Sequence, residues 1–268
     1  MPLLTRDDGV KLYYEVHGAG QPLIFLSETA CHGDVWKRYQ VPEFSRDHQV
    51  ILFDYRGTGR SDKPSAPYSI TMFADDAAAI LAHLSAADAI VCGHSMGGSV
   101  AQVMALHYPD IVARLICASG RAFYPHTKGI PLRIAKEMIE WGYEKYVRDH
   151  GLTVGFTERF AQEYPDEVTR YLDIRMALLN PVEFYLRHVI ARQEHDLKDR
   201  IRNISIPTLV MVGNEEHHVT SDSSLREAAD FLARTIPGAR FEVLEGEKHS
   251  YFFANPDRAH EAMRSFLE

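Results

Sequence analysis

Ser95 is the residue in this sequence best placed to do chemistry. It stands in Gly93-His94-Ser95-Met96-Gly97, a Gly-x-Ser-x-Gly spacing with a further glycine, Gly98, behind it. Ala89-Ile90-Val91-Cys92 runs ahead of it, short, apolar and β-prone, and Ser99 to Leu106 follows with helical composition. A serine held between a strand and a helix has to occupy a tight, strained turn, so the residues two positions away on either side must lack a bulky Cβ. Gly93 and Gly97 meet that need. Such a turn lifts the Ser95 hydroxyl above the sheet edge as a nucleophile. It also sets the Met96 backbone N–H at a helix N-terminus, where an oxyanion is stabilised.

The turn needs a sheet behind it, and the chain supplies candidate strands in order. Asp7-Asp8-Gly9 suits a hairpin turn, and Val10 to Val16 alternates as a strand. Leu23 to Leu26 is a continuous apolar run of the kind buried on both faces, and Gln49 to Asp54 reads as another strand. A helix is expected over Ser69 to Ser85, with Phe73, Ala77, Ile80, Leu81 and Leu84 on one face. The helix after Ser95 should stop near Tyr108-Pro109. Strands follow over 112–119, 206–213 and 240–244, with a helix over 225–236. Between 121 and 195 the composition shifts to helical, aromatic and charged, cut by prolines at 125, 131, 165 and 181.

The whole is 268 residues, 46% hydrophobic and 25% charged, with a formal net charge of -8. That is long enough for one large domain, or a core with an insertion. No basic stripe is present, which argues against nucleic acid as a partner. No apolar run approaches a membrane span, and the first residues lack a signal-peptide core. Cys31, Cys92 and Cys117 are odd in number and widely spaced, two of them in apolar strand-like runs, so buried free thiols in a reducing compartment are expected. The expectation is a cytoplasmic protein, monomer or homodimer, acting on a small molecule.

With its flanking strand and helix, the Ser95 motif resembles the nucleophile turn of the α/β-hydrolase superfamily. A second stretch, Asp54-Tyr55-Arg56-Gly57-Thr58-Gly59-Arg60-Ser61, resembles that family's Asp-x-Arg-Gly-x-Gly-x-Ser turn, whose role is structural. The resemblance implies an α/β-hydrolase fold: a mostly parallel central sheet of about eight strands flanked by helices. The core would span 1–120 and 196–268, and a helical cap 121–195 would lie over the active site.

The resemblance also implies site residues. The loop after the Leu23–Leu26 strand commonly opens with His-Gly in the family. Here Ser27-Glu28 stands in that place, and Trp36 keeps the spacing to a frequent tryptophan. Thr29 then offers the second oxyanion N–H beside Met96. A carboxylate at Glu28 would oppose an oxyanion, so it either turns outward or pairs with a cation, or else contacts substrate or tunes a pKa. Cys31 and His32 either line the pocket mouth or sit on a surface loop, the latter being favoured for His32. In some relatives the catalytic acid follows the 112–119 strand, but here no acid occurs until Glu137. Many relatives instead carry it after the 206–213 strand, where Glu216 aligns, with Glu215 as the alternative. His249, in Glu247-Lys248-His249-Ser250, resembles the terminal catalytic histidine. The order Ser95, Glu216, His249 is the one expected for this fold. His94 is given a packing role in the turn.

Arg121 and His126 lie at the cap entrance. Arg121 forms a structural salt bridge or meets a substrate carboxylate, and Trp141 stands as a pocket candidate among the cap aromatics. Glu215-Glu216-His217-His218 invites a metal reading, but adjacent loop residues make a poor tetrahedral site, so neither metal nor cofactor is expected. A serine at position 95 argues against dehalogenase and epoxide-hydrolase relatives, which use aspartate there. The expected function is hydrolysis of a carboxylic ester or lactone through an acyl-enzyme on Ser95, close to the enol-lactonase and small-ester branch. Hydrolysis of a C–C bond in a dicarbonyl compound, amide hydrolysis, a ligand receptor, or a cofactor-free lyase or oxygenase remain as alternatives.

Overall fold

A computed structural model describes residues 2–124, 129–216 and 224–268. Its strands are β1 (Leu3–Thr5), β2 (Lys11–His17), β3 (Gln21–Leu26), β4 (His48–Phe53), β5 (Ala89–His94), β6 (Val112–Ala118), β7 (Thr208–Gly213) and β8 (Arg240–Leu244). They form one sheet in the order β1-β2-β4-β3-β5-β6-β7-β8. β1 and β2 are antiparallel across a turn at Gly9, whose φ of 83° a glycine adopts without strain. From β4 across to β8 every neighbouring pair is parallel. The central strands are buried on both faces, which is why they read as unbroken apolar runs rather than alternating ones.

One face of the sheet is covered by α2 (Ile70–His83), α3 (Met96–His107) and α9 (Leu225–Thr235). Phe73, Val91, Val100, Met104 and Leu232 meet there in one core. The Ser69 hydroxyl caps α2 by accepting from the Met72 N–H at 3.1 Å. The other face is covered by α1 (Gln40–Phe44), α10 (Tyr251–Ala254) and α11 (Pro256–Leu267), packed with Phe25, Trp36, Ile116 and Met211.

Among the described residues between β6 and β7, the stretch expected to form a cap holds five α-helices: α4 (Ile130–Trp141), α5 (Tyr143–Gly155), α6 (Glu158–Glu163), α7 (Pro165–Ala177) and α8 (Val182–Gln193). α7 is tied to the loop after β3. Arg38 donates to Glu167 at 2.8 and 3.1 Å, and His32 Nε2 lies 3.0 Å from the Ile174 carbonyl. The Asp54 turn acts as a brace, as its resemblance implied. The Asp54 carboxylate accepts from the Gly33 and Arg60 N–H groups, and Arg56 grips Asp76 through two contacts of 2.7 Å.

All three cysteines are free and buried. No helix of the described residues is long and apolar enough to cross a membrane. The three-residue β1 was not anticipated, because only Leu4 of its three side chains is even partly buried and the strand carries no usable pattern.

Candidate active site

Parallel register brings the C-terminal ends of β3, β5 and β6 side by side, with Leu26 opposite Gly93 and His94 opposite Ala118. Open α/β sheets place their ligands beyond this edge. Ser95 sits on it, between β5 and α3, at φ 57° and ψ -116°. A non-glycine residue there stores strain that the surroundings must hold. Its N–H donates to the Ala118 carbonyl at 2.8 Å, and its carbonyl accepts from the Gly98 N–H at 3.0 Å. The flanking glycines are forced by contact. A Cβ on Gly97 would lie 2.1 Å from the Leu26 carbonyl oxygen, and one on Gly93 would lie 2.0 Å from that of Gly97. Met96, buried, is the first residue of α3, so its N–H has no acceptor within the helix.

The chain returns to this edge twice more. After β7, Glu216 is 3% exposed and reaches the loop after β8, where its Oε2 lies 2.6 Å from His249 Nδ1. Its other oxygen, Oε1, accepts from the Gly213 N–H at 2.7 Å and the Ser119 hydroxyl at 2.5 Å. Burial works to raise the Glu216 pKa. The His249 charge and the hydrogen bonds from His249, Ser119 and Gly213 outweigh it, and the carboxyl ends below its usual range. Glu215, by contrast, is exposed, and its N–H is bonded to the Glu247 carbonyl. His126, His217 and His218 lie outside the described residues.

Ser95, His249, Glu28 and Thr29 line one cavity, partly open to solvent, with Arg175 and Arg192 on its cap side. Thr29 is buried, and its Oγ1 accepts from Arg192 Nη1 at 3.0 Å. The Glu28 carboxylate accepts from the Tyr171 hydroxyl at 2.6 Å and from Arg175 at 2.9 Å. Burial alone would raise its pKa. The charges of Arg175, His94 and His249 and the Tyr171 bond reverse that and hold it at about 2. Glu28 therefore both pairs with a cation and borders the cavity. Next to it, Ser27 Oγ accepts from Trp36 Nε1 at 3.0 Å.

His94 has the packing role expected of it. Its ring lies 4.6 Å from that of His249 and edge-on to Trp36 and Phe252. Burial and the neighbouring His249 push its pKa down to about 4. Ligand atoms of Glu28, His94 and His249 come within 4.8 Å of one another. The Arg175 guanidinium on the same Glu28 carboxylate opposes a metal cation there.

Three expectations are corrected. His32 is not on a surface loop: it is 1% exposed, covered by α7. Arg121 is buried with its guanidinium 5.6 Å from the centre of the Tyr124 ring, and it does not line the cavity. Trp141 ends α4 about half exposed, beside Tyr146 and away from the cavity. The cations that do reach the cavity are Arg175 and Arg192, which sequence reasoning missed. Each had a signal. Arg192 falls in step with buried Tyr185, His188 and Val189 on α8, and Arg175 with Val168 and Tyr171 on α7. An arginine on a helix's buried stripe needs a reason to be there. Ser119 was missed too, and nothing in its local sequence marks it as a partner of Glu216.

Comparison with known proteins agrees with this geometry. A model of the family described as alpha/beta hydrolase fold matches residues 16–256. The chain is 31% identical to a provisionally named carbamate hydrolase, RutD, of Azorhizobium caulinodans, covering 95% of this chain and 94% of that one. It is also 31% identical to 3-oxoadipate enol-lactonase 2 of Acinetobacter baylyi, over 90% of this chain and 87% of that one. Among solved structures it is similar to a thermophilic esterase from Thermogutta terrifontis, with 27% identity, a TM-score of 0.86, and 100% and 98% of the two chains covered. These likenesses support hydrolase activity, and their names differ in the bond cleaved.

Proposed function

The chain belongs to the alpha/beta hydrolase fold family, and on that premise we propose that it hydrolyses a carboxylic ester or lactone of a small molecule through an acyl-enzyme on Ser95. The observation that carries this reading is the 2.6 Å contact from His249 Nδ1 to a buried Glu216, beside a serine on a strained turn in the same cavity. A neutral hydroxyl is a poor nucleophile, and an adjacent imidazole corrects that. With Nδ1 held by Glu216, Nε2 is the nitrogen left to accept the Ser95 proton as the oxygen attacks the carbonyl carbon. Glu216 fixes the tautomer and stabilises the imidazolium that forms.

The tetrahedral oxyanion is received by the Met96 N–H at the head of α3, with the Thr29 N–H as second donor. Each such donor contributes about 2.7–4 kcal/mol to the transition state in other serine hydrolases. His249 then passes its proton to the leaving oxygen, and water, activated by the same nitrogen, releases the acid.

The test is proton release in weak buffer from a panel of esters, lactones and β-diketones, with Ser95→Ala as the control. Release from esters or lactones that vanishes in Ser95→Ala, with the melting temperature retained, is the expected result. Activity that survives the substitution removes the nucleophile. Release from β-diketones alone moves the reaction to carbon–carbon hydrolysis.

A further inference from the structure

The cavity has one cation that no carboxylate answers. Arg175 is matched by Glu28 at 2.9 Å, and Glu216 is matched by His249 behind the cavity wall. Arg192 lines the same cavity, is 8% exposed, and forms no ion pair among the described residues. Its guanidinium lies 5.5 Å from the centre of the Tyr124 ring, and its Nη1 donates to Thr29 Oγ1. Its Nε is buried with no hydrogen-bond partner. Leaving a guanidinium nitrogen dry and unbonded is strongly disfavoured, so such a group in a ligand cavity points to an anion that completes it.

The free atoms define the anion's shape. With Nη1 taken by Thr29, the side of the guanidinium formed by Nε and Nη2 is left. Two parallel N–H bonds from that side fit the two oxygens of a carboxylate. The protein uses the same edge elsewhere: Arg38 holds Glu167, and Arg56 holds Asp76, each through Nε and Nη2. The Thr29 contact also fixes where the anion sits, because the Thr29 N–H is the second oxyanion donor in the mechanism above. The carboxylate therefore lies only a few bonds from the carbonyl attacked by Ser95.

We propose that the substrate is an ester or lactone that itself carries a carboxylate, gripped side-on by Nε and Nη2 of Arg192. This rests on the hydrolase reading above and names the substrate class for the same site. Arg192 is a specificity-determining residue. It acts on the substrate's second charged group and takes no part in bond cleavage.

Two near-isosteric probes separate the ideas, the mono-4-nitrophenyl ester of glutaric acid and neutral 4-nitrophenyl pentanoate. The readout is the ratio of their kcat/KM values. The wild type should prefer the charged ester, and Arg192→Gln should lower that ratio by about 30-fold, the loss of one charge-assisted bidentate contact. Arg192→Lys, which keeps the charge without the fork, should recover only part of the preference. Equal losses on both esters, an unchanged ratio, or a wild-type preference for the neutral ester each overturn the proposal. Ser95-dependent cleavage of both esters without charge preference would sink it and leave the hydrolase reading standing.

If neither ester is cleaved, the hydrolase reading is the one in trouble, and glutarate tests the anion site without turnover. Calorimetric titration should show glutarate binding to Ser95→Ala and a loss of at least about tenfold in affinity when Arg192→Gln is added. No binding, or binding indifferent to Arg192, overturns the site.

Discussion

Replacing Glu216 by glutamine is nearly isosteric, yet the hydrogen bonds around it determine which way the new amide must face. Oε1 receives the Gly213 N–H at 2.7 Å, a backbone donor that cannot rotate away, and the Ser119 hydroxyl. An NH2 group in that position would point donor at donor. The amide oxygen must therefore stay on Gly213, and the NH2 must face His249 Nδ1. That nitrogen is then forced to accept, its proton moves to Nε2, and Nε2 can no longer take the proton of Ser95. The corresponding loss in a serine protease triad is about 10⁴ in kcat, or about 5.5 kcal/mol at about 1.36 kcal/mol per factor of ten. The assay is kcat/KM on an ester the wild type hydrolyses, with circular dichroism to show that the fold is kept. Glu215→Gln, on an exposed side chain, should change the rate less than twofold (about 0.4 kcal/mol). Ser119→Ala should cost less than about tenfold, because Gly213 still holds Oε1. If Glu216→Gln keeps more than about a tenth of wild-type activity, or Glu215→Gln loses more than it does, the tautomer argument is wrong and the acid lies elsewhere.

Glu28→Gln leaves Arg175, whose side chain is 10% exposed, without its counter-charge, and should cost about 3–5 kcal/mol in urea unfolding at neutral pH. The sign of its pH dependence follows from a folded-state pKa near 2, below the usual 4.5. The ion pair contributes fully above about pH 4.5, and its contribution is lost as pH falls toward 2. The stability gap between wild type and Glu28→Gln should therefore close across that window, and equal unfolding midpoints at neutral pH would refute the charge pairing. Gly97→Ala drives a methyl to 2.1 Å from the Leu26 carbonyl oxygen. The strand β3 and helix α3 must then part, at a cost of about 3 kcal/mol. A melting temperature equal to wild type would show that the turn is looser than its contacts imply.

The parts of this molecule that were legible in its sequence are those fixed by neighbours along the chain. Leu23 to Leu26 and Ala89 to Cys92 read as buried strands because burial on both faces leaves no polar alternation to confuse them. The glycines around Ser95 marked a tight turn because no other residue fits between Leu26 and α3. Glu216 and His249 were located by the family resemblance of the stretches after β7 and β8, and the two lie 2.6 Å apart. What could not be read was what touches across the fold. Glu28 and Arg175 are 147 positions apart, and His32 and Ile174 are 142 apart. No local pattern announces such pairs, since only the packing of α7 over the β3 loop brings them together. Arg121 stood out in the sequence because it follows a strand, but it is buried and does not line the cavity, and nothing in the strand pattern announces which way a side chain beyond it turns.

The same packing explains how a glutamate is tolerated beside an oxyanion. A bare carboxylate at position 28 would oppose negative charge developing on the substrate, and in a buried cavity that opposition is large. Arg175 cancels it at 2.9 Å, and the Tyr171 hydroxyl takes up a further lone pair. Ser27, in the position before it, accepts the Trp36 indole N–H, so the loop keeps its anchor to the aromatic core without a histidine there. Glu28 and Arg175 thus behave as one neutral unit contributed half by the sheet edge and half by α7. It clamps the helix over the cavity while adding no net charge to it. Removing either charge alone unbalances the site, whereas replacing both by apolar groups of similar volume need not destabilise the fold. With that pair cancelled, the net charge of the cavity wall is set by Arg192, the one charged side chain there whose match must come from outside the described chain.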